Sequence, residues 1–300
     1  MSVLVATSDG YHIFTSSGRH LTALEGHALG TLAPGPDDTW LAIVDRREVW
    51  QHAADGAWTA LAAADVDLSS LVARSGVVFA GTYDARLLRL EGDALVAVDA
   101  FDRISNRDQW HQVGPALNVR SMTITCDEHV FLANVHVGGI QRSVDGGESW
   151  EPTIDVDTDV HEVRAHPSRP ELVMAAAAVG LCLSTDAGAT WEVEVDGLPS
   201  TYARAIAFVG DDVLLSISDG PRAARAEIYC RPIAGGRLVR VDDGLGDRLA
   251  GNVDTCCLAT GKGHAALADG NGDVWVSRQG VTDWRRVAEG LAGVTAVAIA

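Results

Sequence analysis

Two stretches of this sequence repeat one another at a fixed interval, and a chain built that way has few folds open to it. Residues 143–150 read Ser-Val-Asp-Gly-Gly-Glu-Ser-Trp, and residues 184–191 read Ser-Thr-Asp-Ala-Gly-Ala-Thr-Trp. Ser143, Asp145, Gly147, Ser149 and Trp150 therefore recur as Ser184, Asp186, Gly188, Thr190 and Trp191, 41 residues further on. Self-similarity at a period of tens of residues marks solenoids, propellers and arrays, in which each repeat is one supersecondary unit. The chemistry of the repeat is that of a stapled turn. Asp accepts backbone N–H groups, Gly supplies a left-handed backbone position, and Ser or Thr ties the far side. Trp then packs its ring on the sheet.

Weaker copies extend the pattern. Residues 49–61 keep Asp55, Gly56 and Trp58, and residues 274–287 keep Ser277, Gly280 and Trp284. Short apolar runs precede each copy, at Val3–Thr7, Trp40–Val44, Val77–Gly81, Val130–Val135, Leu172–Ala177, Val213–Ile217 and His264–Ala268. Several end in turn pairs such as Asp9-Gly10, Asp219-Gly220 and Asp269-Gly270, as strands joined by tight turns do. A further strand opens each repeat near residues 29, 68, 119, 160, 202 and 253. The reading is all-β: a single β-propeller domain over residues 1–300, with seven blades, or six if one weak repeat is an excursion. Residues 1–26 supply three strands, and 293–300 supply the fourth that closes the ring and removes exposed edges.

The repeated octapeptide resembles the Asp-box of the BNR-repeat β-propellers, a family that includes bacterial proteins labelled sialidase-like or glycosyl-hydrolase-like. The resemblance implies that Ser143, Asp145, Gly147, Trp150, Ser184, Asp186, Gly188 and Trp191 are structural and lie at the blade periphery. It does not choose a function, because one propeller fold carries many. The string Phe101-Asp102-Arg103-Ile104-Ser105 is an interrupted match to the family's sialidase motif, so sialidase activity is not expected.

Charge narrows the partners. The net charge is −18 and the pI about 4.8. Such a surface repels phosphate backbones and anionic lipids, which excludes nucleic acid and membrane as expected partners. No run of apolar residues is long enough to span a bilayer, and the first residues lack the basic and apolar regions of a secretion signal. Cys126, Cys182, Cys230, Cys256 and Cys257 are odd in number and sit mostly in apolar patterns. They are expected to be buried thiols in a reducing cytoplasm.

In a propeller, the loops leading into each inner strand and those joining the second strand to the third share the channel mouth. The first set carries His27, Asp67, Asn118 with Arg120, Asp159 with His161 and Glu162, Tyr202 with Arg204, and Asn252 with Asp254. The second carries Asp9, Asp45, Tyr83 with Asp84, Asn134 with His136, Asp219, and Asp269 with Asn271. An insertion over 101–117, containing Trp110 and His111, is placed to act as a lid. His27, His136 and His161, with His111 from above, are candidate ligands for one divalent metal such as zinc, copper or iron. His161, Glu162, Arg120, Arg204 and Tyr202 are candidate catalytic residues. The histidines would serve as acid–base groups, Glu162 would orient one, and the arginines would clamp an anionic group.

The primary expectation is a small-molecule-binding protein or enzyme, a lyase or hydrolase, with its site at that mouth. A scaffold that binds a protein partner, using Trp110 and the loop 221–226, is the alternative. A glycosidase is the second, with carboxylates available at Asp45, Asp84, Glu162, Asp219 and Asp254.

Overall fold

The computed structural model describes residues 1–111, 117–245 and 249–300; the rest of the expected lid, 112–116, lies outside them. The chain is 52% strand and 3% helix. Among the described residues no helix is long and apolar enough to cross a membrane.

The strands run as antiparallel meanders of four. Ser2–Thr7, Gly10–Thr15 and His20–Ala23 follow one another, and Val294–Ile299 lies antiparallel beside Ser2–Thr7, with Val3 opposite Ile299. Leu29–Pro34, Trp40–Val44, Glu48–His52 and Trp58–Ala63 make the next meander, and Leu68–Arg74, Val77–Thr82, Leu87–Glu91 and Ala94–Ala97 the one after. A single parallel bridge, Ala94 to Ala63, joins these two into an eight-stranded sheet. Val119–Ile124, Phe131–Val135, Gly139–Ser143 and Glu151–Pro152 form a further sheet, and Val160–Ala165, Val173–Ala177, Gly180–Ser184 and Glu192–Glu194 another. Tyr202–Val209, Asp212–Ser218, Arg225–Pro232 and Val239–Arg240 follow, with Leu249–Ala250 paired to Arg225 and Ala226. Leu258–Gly261, His264–Ala268, Val274–Gln279 and Thr282–Ala288 form the last.

The expected strands at 40–44 and 264–268 match residue for residue, and the other five second strands fall within a residue or so. They are buried on both faces, so each reads as a continuous apolar run bounded by turns. The strand expected from residue 253 begins instead at Leu258. The Cys257 N–H donates to Asp254 O and Cys256 has φ +65, so a tight turn occupies the start of that run.

The chain divides into two compact units. The first comprises Met1–Leu29, Ala176–Leu181 and Val193–Ala300, with a core that includes Val3, Val5, Leu214, Ile228, Leu258, Leu267, Trp284 and Val297. The second comprises Gly30–Ala175 and Cys182–Glu192. It holds one cluster around Leu41, Ile43, Leu71 and Val78 and another around Phe79, Phe101, Trp110 and Phe131.

The repeated turns share a set of hydrogen bonds around their Ser and Asp side chains, while the Trp ring nitrogens differ, Trp150 donating to Gly147 O and Trp191 to Thr153 Oγ1. Asp145 accepts from Ser143 Oγ at 2.8 Å, Ser149 N at 3.0 Å and Ser149 Oγ at 2.5 Å. Asp186 accepts from Ser184 Oγ at 2.8 Å, Thr190 N at 2.9 Å and Thr190 Oγ1 at 2.6 Å. Ser143 and Ser184 Oγ accept the N–H groups of Gly147 and Gly188. Gly188 needs to be glycine twice over: its φ is +80, and a Cβ there would lie 2.7 Å from Leu132 Cδ2. Trp150 meets Phe131 and Phe101 edge to face, with centroids 4.9 and 5.0 Å away.

That contact changes the picture of the 101–117 insertion. Its first part is an anchored element, with a helical turn at Asp99–Asp102 and a 3-10 turn at Arg107–Gln109. Phe101, Ile104 and Trp110 are buried in the aromatic cluster, and Trp110 Nε1 donates to Asn106 Oδ1 at 3.2 Å. Trp110 is therefore a core residue rather than an exposed partner contact, because a large ring gains more from burial against Phe101 than from solvent. The expected burial holds for Cys182 and Cys257; Cys230 and Cys256 are half-buried, and Cys126 sits exposed in the Thr125–Val130 turn.

Candidate functional site

Polar side chains collect at one place in each unit. In the second unit, Asn134 and His136 end one strand and its turn, while Asp159 and His161 lead into Val160–Ala165. His136 Nε2 lies 3.7 Å from Asp159 Oδ1, and His161 Nε2 lies 3.5 Å from Oδ2. Both imidazoles are buried, at 7% and 1% exposure. Asp159 has a left-handed backbone, φ +48, as the residue capping the 3-10 turn Val156–Thr158. A hydrogen bond from His161 holds the Asp159 carboxyl below its usual range against the opposing effect of burial, and the charges of His161, His136 and Arg120 add to it. The Asp159 carboxylate thus lies between the two imidazoles, nearer His161 than His136.

Of the four expected metal ligands, His136 and His161 are thus brought together. His27 belongs to the first unit, and the exposed His111 ring has Nδ1 3.2 Å from Gln109 O in its own loop. Among the described residues, no group of three or more His, Cys, Asp or Glu is arranged to hold a metal ion. Glu162, expected to orient a histidine, is fully buried on the strand face opposite His161, and there it accepts from Arg164 Nη2 at 2.6 Å. The reason is the two-residue alternation of a strand: neighbours 161 and 162 point to opposite faces.

In the first unit, Arg204 lies between Tyr202 and Asp254. Its Nε donates to Asp254 Oδ1 at 3.0 Å and its Nη2 to Oδ2 at 2.9 Å, a two-pronged pair, while Nη1 donates to the Tyr202 hydroxyl at 3.2 Å. Arg120 and Arg204 share one device. The strand register slips between Val119 and Ser121 and between Ala203 and Ile206, so each arginine sits at a β-bulge. A bulge re-aims a side chain that regular alternation would place otherwise.

Asp254 also lines a pocket of about 290 Å³, together with Asn252, Asp269, Asn271, Leu291 and Val294. Asp269 is built into the Asp-Gly-Asn-Gly turn at its edge. Its Oδ1 accepts the N–H groups of Asn271 and Asp273, and its Oδ2 that of Ala250. Asn252 Nδ2 donates to Gly220 O and Pro221 O, and its buried Oδ1 has no donor among the described residues. Gly272 has φ +78, and a Cβ there would come 1.9 Å from Leu291 O, so this wall depends on a bare backbone. The pocket joins the two loop types of one repeat, 252–254 and 269–271, as expected of a shared face. The sequence places these four polar residues at the mouth and offers Asp254 as a glycosidase carboxylate, without grouping the four as one site. It missed the wall at residues 290–294, whose chemistry is backbone and aliphatic and leaves no signal.

No family model matches the chain, and no curated protein matches it. Solved structures do. An ancestral GH74 enzyme superposes with a TM-score of 0.63 at 14% identity, covering 92% of this chain and 39% of that one. The GH74 enzyme of Niastella koreensis gives 0.62 at 12% identity, covering 94% and 46%. The GH74 xyloglucanase from Xanthomonas campestris gives 0.60 at 16%, covering 86% and 45%. The chain spans less than half the length of each of these. GH74 enzymes are β-propeller glycosidases. At such identities the likeness shows the fold: this chain is an all-β protein of β-propeller architecture.

Proposed function

We propose that this protein binds a neutral carbohydrate residue in the pocket of its first unit. The observation that carries the reading is the pocket's lining: two carboxylates and two carboxamides, held on turns beside the aliphatic Leu291 and Val294. Sugar hydroxyls both donate and accept, so side chains of this kind, fixed in advance, suit them. About 290 Å³ is the lower end of ordinary ligand pockets, roughly 300–1,000 Å³, and suits one sugar unit rather than a chain. Arg204 is turned towards Asp254, and among the described residues no lysine or arginine lines the pocket, which favours a neutral over an anionic sugar. Asp254 and Asp269 already accept from Arg204 and from backbone N–H groups. They serve as acceptors for hydroxyls, whereas hydrolysis requires a proton-donating acid opposite a base or nucleophile.

The glycosidase-like neighbours support this reading by fold. The finer architecture belongs to the same proposal. Each of the seven four-stranded meanders is one blade, and the stapled turns at 143–150 and 184–191 are Asp-boxes, supported by their shared hydrogen bonds.

The test is titration of the isotope-labelled chain with neutral oligosaccharides, xyloglucan fragments among them, followed by amide shifts. Saturable shifts at residues 252–254, 269–272 and 290–294, lost in Asp254→Ala, would support the pocket. No shift with any neutral, amino or acidic saccharide would end the reading. A reducing-end assay on the same mixtures separates binding from cleavage.

A further inference from the structure

The polar turn of the pocket and its aliphatic wall are joined by a residue that lines neither. Asp273 closes the turn that begins at Asp269, and its backbone is bonded twice to that residue. Asp273 N donates to Asp269 Oδ1 and Asp269 N to Asp273 O, both at 3.1 Å. The Asp273 carboxylate serves the other side. Its Oδ1 accepts Gly290 N at 3.0 Å, and its Oδ2 accepts Arg286 Nη1 at 2.8 Å. Gly290 opens the wall, and Leu291 N adds a backbone tie to Gly272 O at 3.0 Å. The far end is held from elsewhere, by Ser8, whose N–H donates to Gly293 O at 2.9 Å and whose hydroxyl donates to Ala292 O at 3.3 Å.

We propose that Asp273 is the positioning residue of this pocket: by tying Gly290 to the turn that carries Asp269 and Asn271, it sets the width of the pocket and with it the affinity for a single sugar unit. The inference rests on the saccharide reading given above. The wall reads Gly-Leu-Ala-Gly-Val over residues 290–294. It has no polar side chain of its own, so its place depends on what neighbours do with its backbone groups. A binding site works only when its parts are held to about 0.5 Å by the residues behind them. A carboxylate accepting an N–H is among the stronger of such ties. The Asp273 side chain is 16% exposed, so water replaces the lost acceptor poorly. Arg286 is more open, at 42%, and also faces Glu289. It orients the Asp273 carboxylate and does not itself touch the wall.

The experiment titrates the full chain with methyl glucoside, a neutral single sugar unit. Asp273→Ala should weaken binding about tenfold or more, the scale of a lost hydrogen bond to a charged group. Asp273→Asn keeps an oxygen that accepts Gly290 N, so it should bind within about threefold of the parent, the smaller loss expected when a neutral acceptor replaces a charged one. Arg286→Ala should fall between the two. Asp243→Ala is the control for mere destabilisation. Asp243 accepts Asp283 N at 2.9 Å, on the outer hairpin of the same sheet, and does not line the pocket; its loss should lower the melting temperature and leave affinity unchanged. A readout without sugar accompanies these: amide hydrogen exchange at Gly290 and Leu291 should quicken in Asp273→Ala, while Val274–Gln279 stays protected. Equal affinity in the parent and Asp273→Ala would overturn the proposal alone. So would unchanged exchange at Gly290, or an affinity loss that Asp273→Asn does not restore and Asp243→Ala reproduces. A parent that binds no saccharide would remove the pocket reading and this inference with it.

Discussion

Arg231 is the largest fully buried side chain among the described residues, and its guanidinium faces the carboxylate of Glu194. Both belong to the first unit. Arg231 lies on Arg225–Pro232 opposite Val213, and its Nη1 also donates to Pro232 O at 2.9 Å. Replacing Glu194 with Ala leaves a cation inside the protein facing no carboxylate. Breaking one half of a buried pair costs about 3–5 kcal/mol. Glu194 is 34% exposed, so water reaches one side, and the lower end, about 3 kcal/mol, is expected. For a chain of this length that corresponds to a fall in melting temperature of about 5 °C. Glu194→Gln, which keeps an acceptor, should lose less. Arg231→Met should be tolerated far better than Glu194→Ala, because apolar packing of similar volume replaces a charge that had to be desolvated. The double variant should then recover most of the loss. Thermal and urea unfolding of the four proteins, followed by tryptophan fluorescence, completes a double-mutant cycle. A cost for Glu194→Ala within about 1 kcal/mol, the range of a surface ion pair, or additive single effects, would refute the reasoning.

Other predictions concern the turns, the insertion and the pocket. The hydrogen bond from Ser149, chiefly, draws Asp145 from 3.8 down to about 2, and the bonds from Thr190 do the same for Asp186 against a burial effect of opposite sign. A depressed carboxyl stabilises the fold above its unfolded pKa, so this contribution should be present above about pH 4 and lost as pH falls towards 2; Asp145→Asn with Asp186→Asn should flatten that part of the curve of melting temperature against pH. Phe101→Ala removes a fully buried ring packed on Trp150 and Trp110 and should cost about 3–5 kcal/mol in chemical denaturation; a small loss would mean that residues 99–110 are not part of the core. Arg204→Met should release Asp254 and weaken saccharide binding while leaving the melting temperature nearly unchanged, as isothermal titration and calorimetric scans would show.

The repeat was legible because its parts act locally. Ser143, Asp145, Gly147 and Ser149 bond to one another within a few residues, so spacing alone reports the turn. The strands at 40–44 and 264–268 were legible for a similar reason: a short apolar run bounded by turn residues marks a strand buried on both faces. The sites were legible only as positions. The sequence names Asp159, His136 and His161, and also Asn252, Asp254, Asp269 and Asn271, as residues on the same kind of loop. Which of them meet depended on the tertiary structure, through a left-handed backbone at Asp159, bulges at Arg120 and Arg204, and strand alternation that sends Glu162 away from His161. The pairing of Arg231 with Glu194 and the seating of Trp110 in the core were decided there too. Each joins side chains from different strands or loops, at distances that a change of one residue in register or one bond rotation would alter, and local spacing does not encode that.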